Sequence, residues 1–380
     1  MKLLMTLSYY APYVSGLTIC TQRIAEALAK RGHTVHVLTT QYEKHLKRNE
    51  TRSDVRITRV SYLFKISKGF FMPLYSWYTL KLITRSDLVI INLPQFEGFI
   101  VAFIACLLRK RMYCIYHCEV SLSKRPFDWL MEKTLHAANT LSLVLSERVV
   151  TYTQDYARHS KLLEYFSKKL IFIYPPIPAL EIDRKTVKKL KSKLSIHRRY
   201  VIGVAARIAR EKGLEYLLEA IPFMKKKLAK DILIVIAGPK NPVGEKAYWR
   251  ELSPLLERHT HAIRFLGTLG SKEMGAFYSL IDVLVLPSVN STEAFGVVQV
   301  EAMLCRTPVV ASYLPGVRVP IKVTGMGELA KPRDSKDLAS KIVKVLKYRR
   351  SYIKKREAIK KHFLFSRTIN QYEKILTSIS

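Results

Sequence analysis

The sequence predicts an α/β protein of two doubly wound, Rossmann-like units facing a cleft, and three observations carry that expectation. Short apolar runs alternate with longer segments of helical periodicity along the whole chain. The alternation breaks once, at 174–178 (YPPIP), which can continue neither a helix nor a central strand, and then restarts. The 380 residues, at roughly 150 per domain, leave room for two or three domains. A single long sheet is the alternative, and the proline-rich break disfavours it.

In order along the chain, residues 2–8 read as a strand. Residues 21–31 (TQRIAEALAKR) read as a helix with Ile24, Ala25 and Leu28 on one side, and 34–39 return as a strand after the stop at Gly32. That βαβ unit implies parallel pairing through a right-handed crossover. Further strands are expected at 88–92, 112–117, 148–152 and 170–173. Beyond the break and the basic stretch 184–199, strands are expected at 200–205, 232–237, 262–266, 283–287 and 308–311, with a helix over 213–226. The break therefore puts the domains at 1–174 and 175–361, ahead of a last segment over 362–380.

Composition narrows the partners. The chain holds 64 Lys and Arg against 30 Asp and Glu, a net charge of +34 with a pI near 10.0. Such a surplus points to nucleic acid, acidic lipid headgroups or phosphate-bearing substrates. With 48% hydrophobic and 25% charged residues, global disorder is excluded. Five cysteines without a CxxC pair, and a first segment that reads as a buried strand, fit a reducing, cytoplasmic compartment. The most apolar window, 98–108 (GFIVAFIACLL), falls short of the roughly 20 residues that span a bilayer.

Four places carry candidate chemistry. In the turn 10–17 (YAPYVSGL), Ser15 and Gly16 sit between a strand and a helix. Glycine there permits positive φ and close backbone approach, and a helix N-terminus favours an anion; a plain sharp turn explains the same residues. In 207–213 (RIAREKG), Arg207 and Lys212 lie at the carboxyl end of a strand, where open α/β sheets bind ligands. They can converge on a diphosphate, as a bidentate fork and a point charge, or remain solvated surface.

In 293–301 (EAFGVVQVE), Gly296 and Val297 open a helix whose free N–H groups suit a phosphate. Glu301 lies roughly 7.5 Å further along that helix, placed to accept from the vicinal diol of a ribose. Glu293 in the loop before it could hold hydroxyls of a second sugar or offset positive charge in a transition state. The apolar context VVQVEAML makes an unpaired carboxylate at 301 costly, which favours binding over a surface role. Lastly, His117 ends the strand in 112–119 (MYCIYHCE), as a satisfied strand-end residue or a ligand. Cys114 and Cys118 share a face but have no partner pair at metal spacing, so no metal site is expected. Neither GxGxxG nor GxxxxGK[ST] occurs.

Taken together, YYAPYVSG, KRGHTVHVLT, RIAREKGLEYLLEAI, IAGP, RFLGTLGSKEMGAFYSLIDVLVLPS and EAFGVVQVEAM resemble the GT-B glycosyltransferases of glycosyltransferase family 4, the retaining, nucleotide-sugar-dependent class. The Glu-x7-Glu spacing of Glu293 and Glu301 is the most specific part, and the resemblance spans nearly the whole chain. It implies two Rossmann-like domains, the first on the acceptor side, rejoined by a C-terminal helix over 362–380, and the second on the donor side. It implies that Arg207 and Lys212 bind the donor diphosphate, that Glu293 lies near the donor sugar and that Glu301 binds the ribose. Phe295, Gly296 and Val297 would form the helix start at sugar and phosphate, Gly16 the first-domain turn, and His117 a group near the reacting centre. No cofactor or metal ion is implied, since Arg, Lys and the helix dipole supply positive charge. Two positions depart from the pattern: Arg306 stands where a glycine usually precedes PVVAS, and Ser15 where many members have a first glycine.

Two basic stretches suggest contact with an acidic membrane surface: a helix over 341–361, and 61–85, where Phe64, Phe70, Phe71 and Trp77 mix with Lys65, Lys68 and Lys81. A solvated face is the usual reading of the first, and a groove-lining or core helix explains the aromatics of the second equally. The function expected is therefore a retaining hexosyltransferase. It would use a UDP- or GDP-sugar and an acceptor that is lipid-linked or a polysaccharide, in the cytoplasm or at the inner face of the membrane. Two rivals stay open: a nucleic-acid-binding protein, motivated by charge although no recognition motif is visible, and a nucleotide-sugar epimerase on the same fold.

Overall fold

The computed structural model describes residues 1–66, 69–121, 126–194, 196, 200–229, 231–240 and 245–377. The chain divides into two compact units, Met1–Pro176 with Ser366–Ser380, and Ile177–Phe365. Each has its own mainly parallel sheet, which excludes a single continuous one.

The first unit contributes β1 (Lys2–Thr6), β2 (Thr34–Thr40), β3 (Asn49–Arg52), β4 (Val55–Val60), β5 (Phe64–Ile66), β6 (Gly69–Phe71), β7 (Leu88–Leu93), β8 (Arg111–Tyr116), β9 (Arg148–Thr151) and β10 (Leu170–Phe172). Eight of these form one sheet in the order β10-β9-β8-β7-β1-β2-β4-β3, parallel except for the edge strand β3. The strand order reverses between β1 and β7. β7 (LVIINL) is buried along its full length, as a parallel strand covered on both faces must be, and so it reads as an unbroken apolar run. β5 and β6 pair only with each other.

The second unit contributes β11 (Tyr200–Ala205), β12 (Ile232–Ala237), β13 (Ile263–Gly267), β14 (Val283–Leu286), β15 (Val309–Ser312) and β16 (Gly327–Ala330). They form a fully parallel sheet in the order β13-β12-β11-β14-β15-β16. Counted from the unit's first strand this is 3-2-1-4-5-6, the order in which ligands bind outside the carboxyl ends where the winding reverses. That point lies between β11 and β14. Ile202, Leu217, Ile221, Ile234, Val285, Ile342 and Val345 belong to the core that holds these strand ends in place.

Several expectations are corrected. β4 (VRITRV) was hidden by its arginines, yet Arg59 is buried, donating to Glu50 Oε1, Lys47 O and Ala11 O. β3 and β16 are short edge strands with little apolar pattern. The basic segment 341–361 is not one solvated helix: it is shared among Ser335–Lys347, Arg349–Tyr352 and Arg356–Phe363. Ile342, Val343, Val345 and Leu346 in the first of these are buried. In 61–85, Phe70 and Tyr75 are core residues of a hairpin and a helix (Tyr75–Ile83), whereas Phe64, Phe71 and Trp77 are exposed; Lys68 lies outside the described residues. The helix Phe365–Thr377 buries Tyr372, and its Glu373 pairs with Arg31 at 2.5 Å; 378–380 lie outside the described residues.

Candidate functional site

In the second unit, two loops that follow β11 and β14 are fastened to each other. Gly213 takes the left-handed conformation (φ 61°), and a Cβ there would lie 2.3 Å from Pro287 O and 2.7 Å from Val289 Cγ1. No larger residue fits this close approach. Val289 N donates to Glu211 O at 3.0 Å. One residue before Gly213, Lys212 Nζ donates to Glu293 Oε2 at 2.6 Å, joining positions 81 residues apart in sequence. Arg207 donates to Glu211, and its Nη1 lies 4.0 Å from Glu245 Oε1. Three of the sequence-derived residues, Arg207, Lys212 and Glu293, are thus partly exposed, charge-paired groups on two loops at the winding reversal.

The helix Val297–Leu304 starts at the end of the second loop. Its N-cap, Gly296, is left-handed (φ 75°, ψ 65°), and a Cβ would meet Leu286 Cδ2 at 2.5 Å and Gln299 Nε2 at 2.6 Å. The turn therefore demands glycine; the Gly296 carbonyl accepts from Gln299 N at 2.9 Å, and the amides of Val297 and Val298 precede that first intrahelical bond. Glu301, fifth in the helix, is 7% exposed and accepts from Tyr278 Oη at 3.0 Å. Its burial is answered by a protein partner, so burial alone does not demand a ligand there. Phe295 departs further from expectation: its ring is buried against Phe363, centroids 6.0 Å apart, and its carbonyl accepts from Gln299 Nε2. The side chain is core, and it anchors the turn from below.

Sequence reasoning missed three neighbours. Ser288 Oγ, Thr292 Oγ1 and Gln299 Oε1 are buried with no hydrogen-bond partner among the described residues. The signal was the hydroxyl-rich run SVNST directly after a strand. Such orphaned groups are uncommon in folded proteins, and polar ligands are among the things that satisfy them.

Arg306, the departure noted in the sequence, ends the same helix with φ 66°. The tight left-handed turn is kept, and an arginine bears its strain instead of a glycine.

In the first unit, Gly16 is the first residue of the helix Gly16–Lys30, after the N-cap Ser15, whose Oγ accepts from Thr18 N at 3.2 Å. Positive φ is not what glycine supplies here: the space where its Cβ would stand is open and the residue is exposed, so what it leaves is bare backbone at a helix start. His117 is 2% exposed, its Nδ1 2.5 Å from Tyr152 Oη and its Nε2 2.9 Å from Asn92 Oδ1. Burial pushes its pKa down to about 3. As found, it is a neutral, satisfied node of the interior rather than an exposed acid or base.

Beside it, after β7, stands a network the sequence did not disclose. Thr6 Oγ1 donates to Gln95 Oε1, whose Nε2 donates to Tyr75 Oη, and Ser8 Oγ donates to Glu97 Oε2 at 3.2 Å. Burial raises the Glu97 carboxyl above its usual range, and its Oε1 has no partner among the described residues. Rings of Tyr9, Tyr13, Tyr42 and Phe70 cluster alongside. Among the described residues, no three His, Cys, Asp or Glu side chains gather as a metal site requires.

Comparison with known proteins bears on the family and the fold. A family model described as "Glycosyltransferase Family 4" matches residues 14–179, and one described as "Glycosyl transferases group 1" matches 186–362. An uncharacterized glycosyltransferase of Methanocaldococcus jannaschii is 28% identical over 91% of this chain and 89% of its own. Alpha-monoglucosyldiacylglycerol synthase of Acholeplasma laidlawii is 24% identical over 80% and 78%. Among solved structures, Anabaena HepE in complex with UDP-glucose superposes with a TM-score of 0.79 at 19% identity, covering all of both chains. The two family models follow one another over the two Rossmann-like units and support a glycosyltransferase with a family 4 N-terminal half and a group 1 C-terminal half, and the superposition shows the GT-B fold.

Proposed function

We propose that the second unit binds a UDP- or GDP-hexose and that the enzyme transfers the hexose, with retention, to an acceptor held by the first unit. The observation that carries this reading is the Lys212–Glu293 contact of 2.6 Å, which gathers a cation, a carboxylate and a glycine-started helix at one winding reversal. A diphosphate would draw Arg207 and Lys212 off their carboxylate partners, one by a planar fork and the other as a point charge. The helix start at Gly296 and Val297 adds its amides and partial positive charge. Glu301 takes the ribose hydroxyls and Glu293 the hexose hydroxyls.

In the reaction, the bond from the anomeric carbon to the diphosphate oxygen breaks through an oxocarbenium-like state. The acceptor oxygen bonds on the same face, and its proton passes to the leaving phosphate. Arg207, Lys212 and the helix dipole stabilise the charge on the departing nucleotide, so the reading requires no metal ion. Glu293 is not assigned as a covalent nucleophile. His117 acts as a positioning residue through Asn92 and Tyr152.

HepE was solved with UDP-glucose, which favours a uridine donor, and the Acholeplasma relative is named for a glucosylated diacylglycerol, which favours a lipid acceptor over a polysaccharide. A lipid acceptor would place the enzyme at the inner face of the cell membrane. The test is nucleotide release from UDP-glucose and GDP-mannose with diacylglycerol vesicles or soluble glycans, with and without chelator. Lys212→Ala should slow turnover about 10²–10³-fold, and Glu301→Gln should raise KM for the donor about tenfold. Wild-type behaviour of both variants would refute the assignment, as would sugar interconversion that needs no acceptor.

A further inference from the structure

We propose that the tyrosine cluster over Glu97 in the first unit binds an uncharged sugar ring, so that the acceptor is a sugar or presents one. The inference rests on the reading that the first unit holds the acceptor, and it narrows that acceptor's chemistry.

The cluster stands where the strand order reverses between β1 and β7. Tyr9 follows β1, Tyr42 follows β2 and Glu97 follows β7, so three strand ends meet there. The Tyr9 ring lies 4.5 Å from Tyr13, 5.6 Å from Tyr42 and 5.1 Å from Phe70, and Phe70 lies 5.0 Å from Tyr62. All four tyrosines are half-buried, which leaves part of each side chain open to solvent. Their oxygens converge: burial raises the pKa of the Tyr9 phenol most, and Tyr13, the Glu97 carboxyl and Tyr62 add to it through space.

Glu97 is the buried end of the cluster. It is 4% exposed, Ser8 Oγ occupies its Oε2, and its Oε1 has no partner among the described residues. A buried oxygen left unpaired is costly, and a ligand hydroxyl satisfies it. Its cover is the hairpin of β5 and β6. The Phe70 backbone lies near enough to favour the charged form of Glu97, and the two strands pair with each other rather than with the large sheet. The element a ligand displaces to reach the oxygen is thus one that no bond to that sheet holds.

This combination matches a sugar. One face of a hexose carries C–H groups and its rim carries hydroxyls, so aromatic faces take the first while phenols and a carboxyl take the second. An acyl chain would leave the buried oxygen unsatisfied. A phosphate would face a carboxyl. Of the cations here, Arg59, which acts on Tyr42, is committed to Glu50 Oε1, Lys47 O and Ala11 O, and Lys65 Nζ lies over the Phe70 ring, 5.5 Å from its centroid.

The test is saturation-transfer NMR of the full chain with methyl α-D-glucopyranoside and with glucose 6-phosphate, in the absence of donor. The ring protons of the glucoside should take up saturation, and the phosphate should not tighten binding. Tyr42→Ala and Glu97→Leu should each weaken glucoside binding about tenfold. Glu97→Gln keeps a polar oxygen in that place and should stay within about threefold of the wild type. Tyr165→Ser, an exposed ring outside the cluster, should change nothing. In turnover, maltotriose and glucosyldiacylglycerol vesicles separate a soluble glycan from a lipid-linked sugar. With either one, an acceptor KM raised by Tyr42→Ala at an unchanged donor KM supports the proposal. Glucoside binding at the wild-type level in both Tyr42→Ala and Glu97→Leu would overturn it. So would markedly tighter binding of glucose 6-phosphate, or transfer to diacylglycerol, which has no ring. If UDP-glucose fails to bind while the glucoside still binds, the donor reading falls and the sugar site stands.

Discussion

The carboxyl ends of the two sheets are made of opposite materials. At the reversal of the second unit stand Arg207, Lys212, Glu211 and Glu293, charge-paired and partly exposed, on loops that only Gly213 and Gly296 can shape. At the reversal of the first unit stand Thr6, Asn92, Gln95, Glu97 and His117, buried and hydrogen-bonded among themselves or to Ser8, Thr21, Tyr75 and Tyr152. One scaffold, a parallel sheet with helices packed on it, thus presents one charged, partly exposed end and one buried, hydrogen-bonded end. The difference lies in the loops, which are free to vary because the strands beneath them are fixed by core packing.

The comparison breaks most readily at Gly296. Gly296→Ala places a methyl within 2.6 Å of Leu286 and Gln299 and forces a left-handed residue. It should destabilise the second unit by about 2–3 kcal/mol and weaken nucleotide binding about 100-fold, read by melting and calorimetric titration. Wild-type affinity would detach the helix start from the donor site.

Acid should expose the first unit. His117 is held neutral at a pKa of about 3, and His36, also lowered by burial, at about 4. Unfolded histidine binds a proton below roughly pH 6.5. Between those values the unfolded chain holds more protons, so stability is whole above about pH 6.5 and is lost as pH falls toward 3, by up to about 1.4 kcal/mol per pH unit for each histidine. His117→Gln should flatten that slope in pH-dependent melting.

Glu97 works in the opposite sense. Its carboxyl is raised by burial, so stability declines as pH climbs above the usual carboxylate range. Glu97→Gln should therefore raise the melting temperature at neutral pH and not in acid. The smallest effect is at Arg306, where Arg306→Gly should relieve the φ of 66° and stabilise the second unit by about 1 kcal/mol, seen as a small rise in its melting temperature.

What could be read from the sequence follows the same division. The buried strands β7 and β12 were legible because strands covered on both faces must be continuously apolar. β4 was not, because Arg59 is paid for by partners on β3 and two loops that only the tertiary fold supplies. The charged residues of the second unit were singled out by their types and spacing, and the fold brings Lys212 and Glu293 into contact. The burial of the Phe295 ring was not legible, because neighbouring residues in a turn can face core and solvent alternately. The Ser8–Glu97 contact joins residues 89 apart, a pairing that no local pattern encodes. Gly16 looked like a φ-driven turn, although a serine N-cap starts that helix without one.

The most direct test of the charged end is the thermal shift of the full chain with UDP-, GDP- and ADP-sugars, beside duplex DNA at two salt concentrations. The account predicts stabilisation by one nucleoside diphosphate sugar, carried by the second unit and strongly reduced in both Lys212→Ala and Gly296→Ala. Stabilisation by DNA alone, fading steeply with salt, would contradict it and leave the net charge as the main determinant of binding.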